Sequence, residues 1–470
     1  MTISNRLFDE IDVGDSAETR RVCTDNDLFV FAHASGNLNP LNLPDRDGDG
    51  DPSTPPLAPS MWVGALVSNV IGNLLPGPGA LYRAQSFTFH HRVVVGDELV
   101  VSVRVVEKRA PRLLVMDTRI TKSTGEPVAD GIAEVFTPER KLVFESLSSP
   151  PVTLHRHVQF EKLLAACRPL DALPTAVVWP MDRPSLEGAL QADAEGLIVP
   201  ILIGPAARIA ELARDIGRPI AGITLLDADT PAHAAAQAVA MAAEGRVRAI
   251  MKGSLHSDVL LEHVVGRAGG LRTDRRISHV FVMDTPGIDH PLFITDAAIN
   301  IAPDLNAKRD ITQNAIDLAR ACGIGRPRVG VLSAVETVTP NIPSTLDAAA
   351  LSKMADRGQI EGGDVDGPLA MDNAIDVEAA RTKGITSLVA GRADILVVPN
   401  LEAGNMLAKE LTFIAHADAA GLVMGARVPV MLTSRADSAR ARMVSCALAV
   451  LHDRWRGLGR ASGGHSGGHA

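Results

Sequence analysis

The sequence predicts two folded units of different class, an α+β unit followed by an α/β unit. Up to about residue 145, one long apolar segment precedes strands of alternating pattern, whereas from about residue 155 short apolar runs alternate with helical segments. A chain of 470 residues is also too long for one hydrophobic core. The predicted divisions are an α+β unit over 1–145, a linker over 146–158, an α/β unit over 159–458, and a disordered Gly- and His-rich tail over 459–470.

Composition argues against nucleic-acid and membrane partners. The formal net charge is −9, which disfavours a general surface for nucleic acid or anionic lipid but allows a local basic pocket for a phosphorylated ligand. No stretch of about 18 uncharged apolar residues predicts a membrane span, and the first residues do not resemble a signal peptide. The four cysteines form no CxxC pair, which indicates reduced thiols in a cytoplasmic protein.

In the first unit, one buried helix and several strands are expected. Residues 58–75, APSMWVGALVSNVIGNLL, are apolar around most of a helical circumference. In residues 98–106, ELVVSVRVV, every second residue is apolar, which predicts a strand with one buried face. Residues 113–136 predict two further strands joined by a turn at 123–125. The expected shape is one long helix wrapped by an antiparallel sheet.

The second unit shows a repeated strand-and-helix pattern. Short apolar runs are followed by Gly, polar residues or a helical segment, which is typical of buried parallel strands with crossover helices. The carboxyl ends of such strands meet at one edge, where ligands bind. The runs are GLIVPILIG, GITLLDA, VRAIM, HVFVMDT, LFITDA, RVGVLSA, ADILVVPN and VPVMLTS.

Polar residues follow several of these runs and predict a cleft for an anionic ligand. Ser434 and Arg435 precede a helix predicted to begin near Asp437, where free N–H groups, a hydroxyl and a guanidinium group would seat a phosphate. Ser434 as a plain N-cap and Asn405 as a turn former are the simpler alternatives. The other candidate binding residues are Lys252, His256, Asp296, Asn300, Gly404 and Asn405.

Residues from about 155 to 455 resemble the phosphate acetyl/butyryltransferase family, and the SRADS segment resembles its butyryl branch. The resemblance rests on MKGSLHSDVLL, ITDAAINIAPDLNAKRDITQNAIDLA, GQIEGGDVDGPLAMDNAI, ADILVVPNLEAGNMLAKEL and VPVMLTSRADS. It implies a two-lobed α/β unit of isocitrate-dehydrogenase-like architecture that dimerises and binds substrate between its lobes. The implied reaction converts an acyl-CoA (acetyl, propionyl or butyryl) and phosphate to acyl phosphate and CoA, without a cofactor.

The same resemblance gives the residues their expected roles. Arg435 would hold the phosphate, and Ser434 would donate a hydrogen bond to the developing oxyanion. Ala441 stands where the acetyl branch has an aspartate proposed as the base for the CoA thiol. An ordinary thiol is already ionised by a few per cent at neutral pH, so this loss need not abolish the reaction.

The stretch FAHASGNLNPLNLP, Phe31 to Pro44, raises a question of chemistry. Residues 15–140 resemble MaoC-like hydratase domains of the hot-dog fold, whose loop SGDxNPxH supplies a catalytic aspartate and histidine. Here Asn37 and Asn42 occupy those positions. A carboxamide has no basic oxygen and no labile proton near neutral pH. The sequence therefore predicts a hot-dog unit that is not a competent hydratase.

The whole chain resembles fusions described as bifunctional enoyl-CoA hydratase/phosphate acetyltransferases. The predicted function is acyl-CoA:phosphate acyl transfer by a homo-oligomer, dimeric or larger. Two alternatives remain open: a non-catalytic acyl-CoA-binding or assembly subunit, and a true bifunctional enzyme with a relocated base. The candidates for that base are Asp25, Asp27, His33, His90 and His91.

No metal site is predicted. One acidic stretch resembles the first half of an EF-hand-like loop through the spacing of Asp45, Asp47, Asp49 and Asp51. However, Pro56 stands at the twelfth position, where a bidentate glutamate is needed. A polar surface loop is the preferred interpretation.

Overall fold

The chain divides into two compact units, Met1–Leu154 and His155–Ala470. Most of the predicted linker lies outside the residues that the structure describes, and so do the aspartates at 45, 47 and 49. A computed structural model describes residues 3–44, 48, 51, 54–144, 158–266, 270–432 and 438–463, with the backbone alone over 459–463.

The first unit is a hot-dog fold, which confirms the predicted α+β class. Its main sheet has the order β2–β5–β6–β7–β3, all antiparallel, with β4 also paired to β7, and β1 pairs with β8. The helices are α1 (Asp25–Ser35) and α2 (Ser60–Asn73). The strands are β1 (Ile3–Ser4), β2 (Ser16–Val22), β3 (Leu81–Gln85), β4 (Thr88–Phe89), β5 (Glu98–Arg109), β6 (Leu113–Lys122), β7 (Pro127–Phe136) and β8 (Val143–Phe144).

The alternating pattern of β5 places one face of the sheet in the core. Leu99, Val101, Val103 and Val105 are each no more than 1% exposed, and they belong to the same apolar cluster as the buried face of α2. Helix α2 contributes Trp62, Val63, Val67, Val70 and Ile71 to that cluster. The long apolar segment is buried because the sheet wraps around it.

The second unit is an α/β fold with two lobes. Its helices are α3 (Val158–Cys167), α4 (Arg183–Ala194), α5 (Ala206–Asp215), α6 (Pro231–Ala243), α7 (Ser257–Val265), α8 (Leu305–Ala321), α9 (Pro343–Asp356), α10 (Met371–Ile375), α11 (Val377–Thr382), α12 (Leu401–Phe413) and α13 (Ala439–Gly463). Its strands are β9 (Leu173–Val178), β10 (Ile198–Gly204), β11 (Thr224–Asp227), β12 (Ala249–Lys252), β13 (Ser278–Asp284), β14 (Leu292–Thr295), β15 (Arg328–Leu332), β16 (Asp364–Leu369), β17 (Ile395–Val397), β18 (Asp418–Met424) and β19 (Val430–Met431).

These strands form one sheet, and the sheet is mixed rather than parallel. The order among the described strands is β11–β10–β9–β12–β19–β18–β13–β14–β17–β15–β16. The pairs β19–β18, β18–β13 and β13–β14 are antiparallel, and every other neighbouring pair is parallel. Three reversals in a row mean that β14, β17, β15 and β16 run opposite to β9, β12 and β19. The expectation of one parallel sheet is therefore wrong at its centre.

The two lobes are visible in the apolar core. On one face of the sheet, a single cluster continues across strands of both lobes beneath α3, α4, α8, α9 and α13. On the other face there are two separate clusters, one with α6 and α7 and one with α10 and α11. Each half of that face thus has its own covering helices.

Helix α13 runs to Gly463, five residues into the segment predicted as a tail. Residues 464–470 lie outside the described part of the chain. None of the described helices has the length and apolar character needed to cross a membrane.

Candidate active site

In the hot-dog unit, the loop between α1 and α2 lines a cavity of about 540 Å³. Other walls come from the start of α2 and from the segment between β4 and β5. The cavity therefore brings the two asparagines of the hydratase-like frame together with aromatic, apolar and imidazole groups. Its lining includes Phe31, Asn37, Asn39, Leu41, Asn42, Pro59, Ser60, Met61, Val63, Phe89, His90, His91 and Arg92.

Local sequence fixes the shape of this loop. Helix α1 ends at Gly36, whose φ of 72° lies in the left-handed region that glycine adopts without strain. The side chain of Asn39 accepts a hydrogen bond from the backbone N–H of Leu41 at 3.2 Å and so caps a short 3₁₀ turn, Pro40–Asn42. Proline at the first position of that turn has a suitable fixed φ.

The two asparagine side chains bond to each other and to the loop. Asn37 Nδ2 donates to Asn42 Oδ1 at 3.3 Å, and Asn37 Oδ1 accepts from the backbone N–H of Asn39 at 3.2 Å. Asn42 Nδ2 donates to the carbonyl oxygen of Leu57 at 2.7 Å. The amides thus connect the loop to the segment before α2. They supply geometry to the cavity but no acid or base.

Of the five candidates for a relocated base, the cavity lining contains His90 and His91 and not Asp25, Asp27 or His33. His90 Nε2 contacts the carboxylate of Asp130 on β7. His91 Nδ1 donates to the carbonyl oxygen of Pro127 at 2.6 Å. Both imidazole rings are therefore held by groups of β7, and each is partly exposed.

In the second unit, Lys252 is the described candidate closest in strand register to residues 433–437, which contain Ser434 and Arg435 and are called the transfer loop below. It ends β12, is 7% exposed, and donates hydrogen bonds to the carbonyl oxygens of Gly253 at 3.0 Å and Leu255 at 3.1 Å. In the parallel pair β12–β19, Met251 lies opposite Met431. The following residues are Lys252 and Leu432, and Leu432 directly precedes residues 433–437.

Ser434 and Arg435 lie in 433–437, outside the described residues. The structure does answer one alternative, that Ser434 is a plain N-cap. Helix α13 begins at Ala439, and the Ser438 hydroxyl accepts the backbone N–H of Ala441 at 3.1 Å. The capping hydrogen bond therefore comes from Ser438. Ala441 is buried in the first turn.

A second group of candidates is connected by internal hydrogen bonds and packing. It consists of Asp296, Asn300, Gly404 and Asn405. The Asp296 carboxylate is 2% exposed and accepts the backbone N–H groups of residues 298, 299 and 300, together with the side-chain amide of Asn300 at 2.6 Å. Asn300 also accepts from Arg276 Nε at 2.9 Å and donates to the Ile277 carbonyl at 2.8 Å. The Asp296 carboxylate therefore stabilises the shape of the loop after β14.

Gly404 and Asn405 hold α12 against that loop. Asn405 Nδ2 donates to the Ala297 carbonyl at 3.3 Å. A methyl group at Gly404 would lie 2.6 Å from Val398 Cγ2 and 2.9 Å from Ala297 Cβ, which is closer than real contacts allow. Glycine is thus required here by close packing.

The two groups of candidates lie at opposite edges of the sheet. Lys252 ends β12 and Asp296 follows β14, and these strands run in opposite directions with β19, β18 and β13 between them. The expectation that all these strand ends meet at one edge is wrong, because it assumed a parallel sheet. His256, at the N-cap of α7 and without a capping side-chain bond, belongs with Lys252.

Burial shifts several titratable groups away from reactive forms. It raises the pKa of the Cys23, Cys167 and Cys446 thiols to about 12, so none of these is a ready nucleophile. Burial also lowers the pKa of His279 on β13 to about 4, and the nearby Asp296 carboxylate only partly opposes this shift. Within the described ranges, no cluster of three or more His, Cys, Asp or Glu side chains could hold a metal ion.

The structure thus combines an α+β hot-dog unit, which contains a cavity of about 540 Å³, with a two-lobed α/β unit, in which a buried lysine lies beside Leu432. These features define a fusion of two different fold classes. The family model described as "Phosphate acetyl/butaryl transferase" matches residues 218–450. A second, described as "FAS1-like, dehydratase domain region", matches residues 13–131. The chain belongs to the phosphate acetyl/butyryltransferase family and is an acyltransferase of that type.

Relatives and solved structures agree with this assignment. A phosphate acetyltransferase of Rhizobium meliloti is 61% identical over 294 residues, which cover 63% of this chain and 93% of the relative. A phosphate butyryltransferase of Clostridium beijerinckii is 41% identical over 292 residues, covering 62% and 97%. The crystal structure of a branched-chain phosphotransacylase from Enterococcus faecalis V583 aligns with a TM-score of 0.53 and 28% identity, covering 60% of this chain and 99% of that one.

Proposed function

We propose that the protein transfers an acetyl group between coenzyme A and inorganic phosphate. The observation that carries this choice is the 61% identity to a protein named phosphate acetyltransferase, against 41% to one named phosphate butyryltransferase. The resemblance of the SRADS segment to the butyryl branch is outweighed by the higher identity to the acetyltransferase over a match of similar length, 294 against 292 residues. Propionyl- and butyryl-CoA are then poorer substrates.

The reaction places definite demands on the site. A phosphate oxygen attacks the thioester carbonyl, a tetrahedral oxyanion forms, the C–S bond breaks, and CoA leaves as a thiolate that takes a proton from solvent. Both substrates are polyanions, so positive charge must hold them together and hydrogen-bond donors must meet the oxyanion. In this proposal Arg435 binds the phosphate and the Ser434 hydroxyl donates to the oxyanion.

Lys252 acts as a positioning residue for the loop after β12. Its ammonium group holds the Gly253 and Leu255 carbonyls, and so shapes the chain after β12. The strand register places it beside Leu432, two residues before Ser434. A buried positive charge at this point also favours an anionic ligand, since a low local dielectric strengthens charge interactions.

The reverse reaction needs a CoA thiolate, and Ala441 cannot serve as a base. We propose that the thiol loses its proton to solvent. This predicts that the rate of acetyl-phosphate consumption rises with pH toward the ordinary thiol pKa near 8.5. An enzyme with its own base near the thiol would instead reach its plateau at lower pH.

The test is release of free CoA from acetyl-, propionyl- or butyryl-CoA in the presence of phosphate, followed with a thiol reagent. The Arg435→Ala variant is expected to lose about a hundredfold or more in kcat/KM, the usual effect of removing one oxyanion or phosphate donor. Arg208→Ala is the matched control, because Arg208 is an exposed arginine on α5. Parent protein that releases no CoA would instead support a non-catalytic acyl-CoA-binding or assembly subunit.

We propose further that the hot-dog unit does not hydrate enoyl-CoA thioesters. The observation that favours this is the hydrogen bonding of Asn37 and Asn42 to each other and to the loop. The cavity has room for an acyl chain beside the N-terminus of α2. Binding without turnover is therefore the expected behaviour of this unit.

A further inference from the structure

The second unit contains another cavity, at the edge of the sheet where β9, β12 and β19 begin. Its volume is about 770 Å³, within the range of small-molecule sites. Leu173 opens β9, Arg248 directly precedes β12, and Val428 lies two residues before β19. The candidate transfer loop follows the opposite end of β19. This cavity is therefore separate from the site proposed for acyl transfer.

The wall of this cavity is basic although the protein as a whole is acidic. Four guanidinium groups line it against two carboxylates, whereas the chain carries a formal net charge of −9. Arg248 pairs with Asp453 at 2.9 Å. In the part of the chain that the structure describes, the exposed Arg427 and Arg454 guanidinium groups have no ion-pair or hydrogen-bond partner. Two cations are thus available to an incoming anion.

The rest of the lining indicates a ligand larger than a simple ion. Leucine, valine and alanine side chains supply apolar surface next to the arginines. The exposed Asp171 carboxylate on the same wall can accept hydrogen bonds from hydroxyl or amino groups. An apolar floor with few polar groups at its rim is typical of sites for organic ligands. The apolar residues are Leu170, Leu173, Ala242, Val247, Val428 and Val450.

We propose that this cavity binds an organic phosphate of nucleotide size. Its phosphate groups would bind Arg427 and Arg454, its apolar ring would lie on the valine and leucine floor, and its hydroxyl groups would face Asp171. Guanidinium groups suit this role because they donate two parallel hydrogen bonds to a phosphate.

The experiment is calorimetric titration of the full-length protein with ADP, alone and with saturating CoA. CoA itself contains an adenosine phosphate, so ADP could enter the substrate site. We expect one ADP to bind per chain when CoA is saturating. Displacement of all bound ADP by CoA, with the ADP affinity unchanged by Arg427→Ala and Arg454→Ala, would show that ADP occupies the transfer site, and the proposal would be wrong. Failure of acetyl transfer would not affect this readout.

Variants assign the binding to this cavity. Arg427→Ala with Arg454→Ala is expected to weaken ADP binding about a hundredfold, since it removes two charge-assisted hydrogen-bond donors to the phosphate groups. The control is Arg208→Ala with Arg218→Ala, two exposed arginines of the same unit that do not line the cavity. Equal ADP affinity in the two double variants would overturn the proposal.

Inorganic phosphate is the second probe. It carries the charge of the ligand but not the apolar body, so it should bind at least about tenfold more weakly than ADP if the floor contributes apolar contact. Phosphate binding as tight as ADP binding would show recognition of charge alone and would contradict a nucleotide-sized ligand. Circular dichroism and CoA release identical to those of the parent would show that the double variant is folded.

Discussion

In the hot-dog unit, the loop from Phe31 to Pro44 holds its shape through side-chain amides, whereas in the transferase unit the loop after β12 holds its shape through a buried ammonium group. The amides of Asn37 and Asn42 stand where the related hydratases have their acid and base. The Lys252 ammonium donates to the Gly253 and Leu255 carbonyl oxygens, and in the proposed reaction it is also a positive charge near the anionic substrates. The hydrogen bonds that hold the first loop need no proton transfer, whereas the group that holds the second loop is itself a charge.

A loop frame can thus serve shape alone, and its presence is weak evidence for activity. Gly36, Asn39 and Pro40 shape the first loop by backbone angle, capping and fixed φ, and none of these tasks needs a proton. A loop of this kind can lose its catalytic groups and still fold. A loop shaped by a buried charge cannot lose that charge without a cost in folding as well.

The largest expected effect concerns hydration. We expect the protein to hydrate crotonyl-CoA at no more than roughly a thousandth of the rate of a competent hydratase, because each missing acid or base costs about 10²–10⁴ in rate. The measurement is the loss of the enoyl-thioester absorbance. The double variant Asn37→Asp, Asn42→His is expected to gain activity, since the frame already positions both side chains at the cavity.

Brisk hydration by the parent would contradict this prediction and point to His90 and its partner Asp130. In that event His90→Ala should abolish the rate. His233→Ala, which changes an exposed histidine of the other unit, should leave it unchanged. If the double variant and the parent are both inactive, the frame has lost substrate positioning as well as its acid and base.

The second prediction tests the dual role of Lys252. Lys252→Met removes the ammonium group and leaves buried carbonyl oxygens unpaired, so the second unit should lose about 3 kcal/mol in its free energy of unfolding. Urea unfolding can be followed by tryptophan fluorescence. Trp179 and Trp455 report on this unit, and Trp62 reports on the hot-dog unit.

Lys409→Met is the control, because Lys409 is exposed on α12 and such changes usually alter stability by less than about 0.5 kcal/mol. Lys252→Met should also slow CoA release. A variant as stable as the parent but inactive would mean that Lys252 serves substrate binding and does not support the loop.

Much of the fold was predictable because it depends on local pattern. The alternation in 98–106 predicted β5, and the apolar segment 58–75 predicted α2, observed at Ser60–Asn73. The directions of β13, β14 and β18 were not predictable in the same way. A short strand buried on both faces has the same apolar pattern whether its neighbours run parallel or antiparallel, so direction is decided by connections and packing.

The same limit applies to the site. Asn37 and Asn42 line one cavity, and their proximity follows from their position in a single short loop. Lys252 and Asp296 were expected together but lie at opposite edges, because strand direction decides which edge a strand end reaches. Sequence reasoning also did not single out Arg427, between β18 and β19, and Arg454, on α13, because only the folded unit brings them to one cavity.

The third prediction concerns pH. Burial lowers the pKa of His279 to about 4 from an ordinary value near 6.5, so the unfolded chain takes up this proton first as pH falls. Stability is then lost as pH falls from about 6.5 to about 4, by about 3 kcal/mol in total, and not further below that. His279→Gln should flatten this slope in urea unfolding of the second unit, whereas His233→Gln should not. An unchanged slope would mean that His279 is accessible to protons in the folded state.

The smallest expected effect compares two helical glycines, one in each unit. A methyl group at Gly72 on α2 meets no atom within 4 Å, whereas one at Gly404 on α12 would meet Val398 and Ala297 below 3 Å. Gly72→Ala should therefore stabilise the hot-dog unit by about 0.5–1 kcal/mol through helix propensity. Gly404→Ala should destabilise the second unit by about 1–2 kcal/mol, because overpacking outweighs the same propensity gain.

Urea unfolding measures both changes in stability, and the KM for acetyl-CoA decides the role of Gly404. A raised KM with unchanged stability would make Gly404 a substrate-binding position. A loss of stability with unchanged KM would mean that close packing of α12 on the loop after β14 is what requires glycine there.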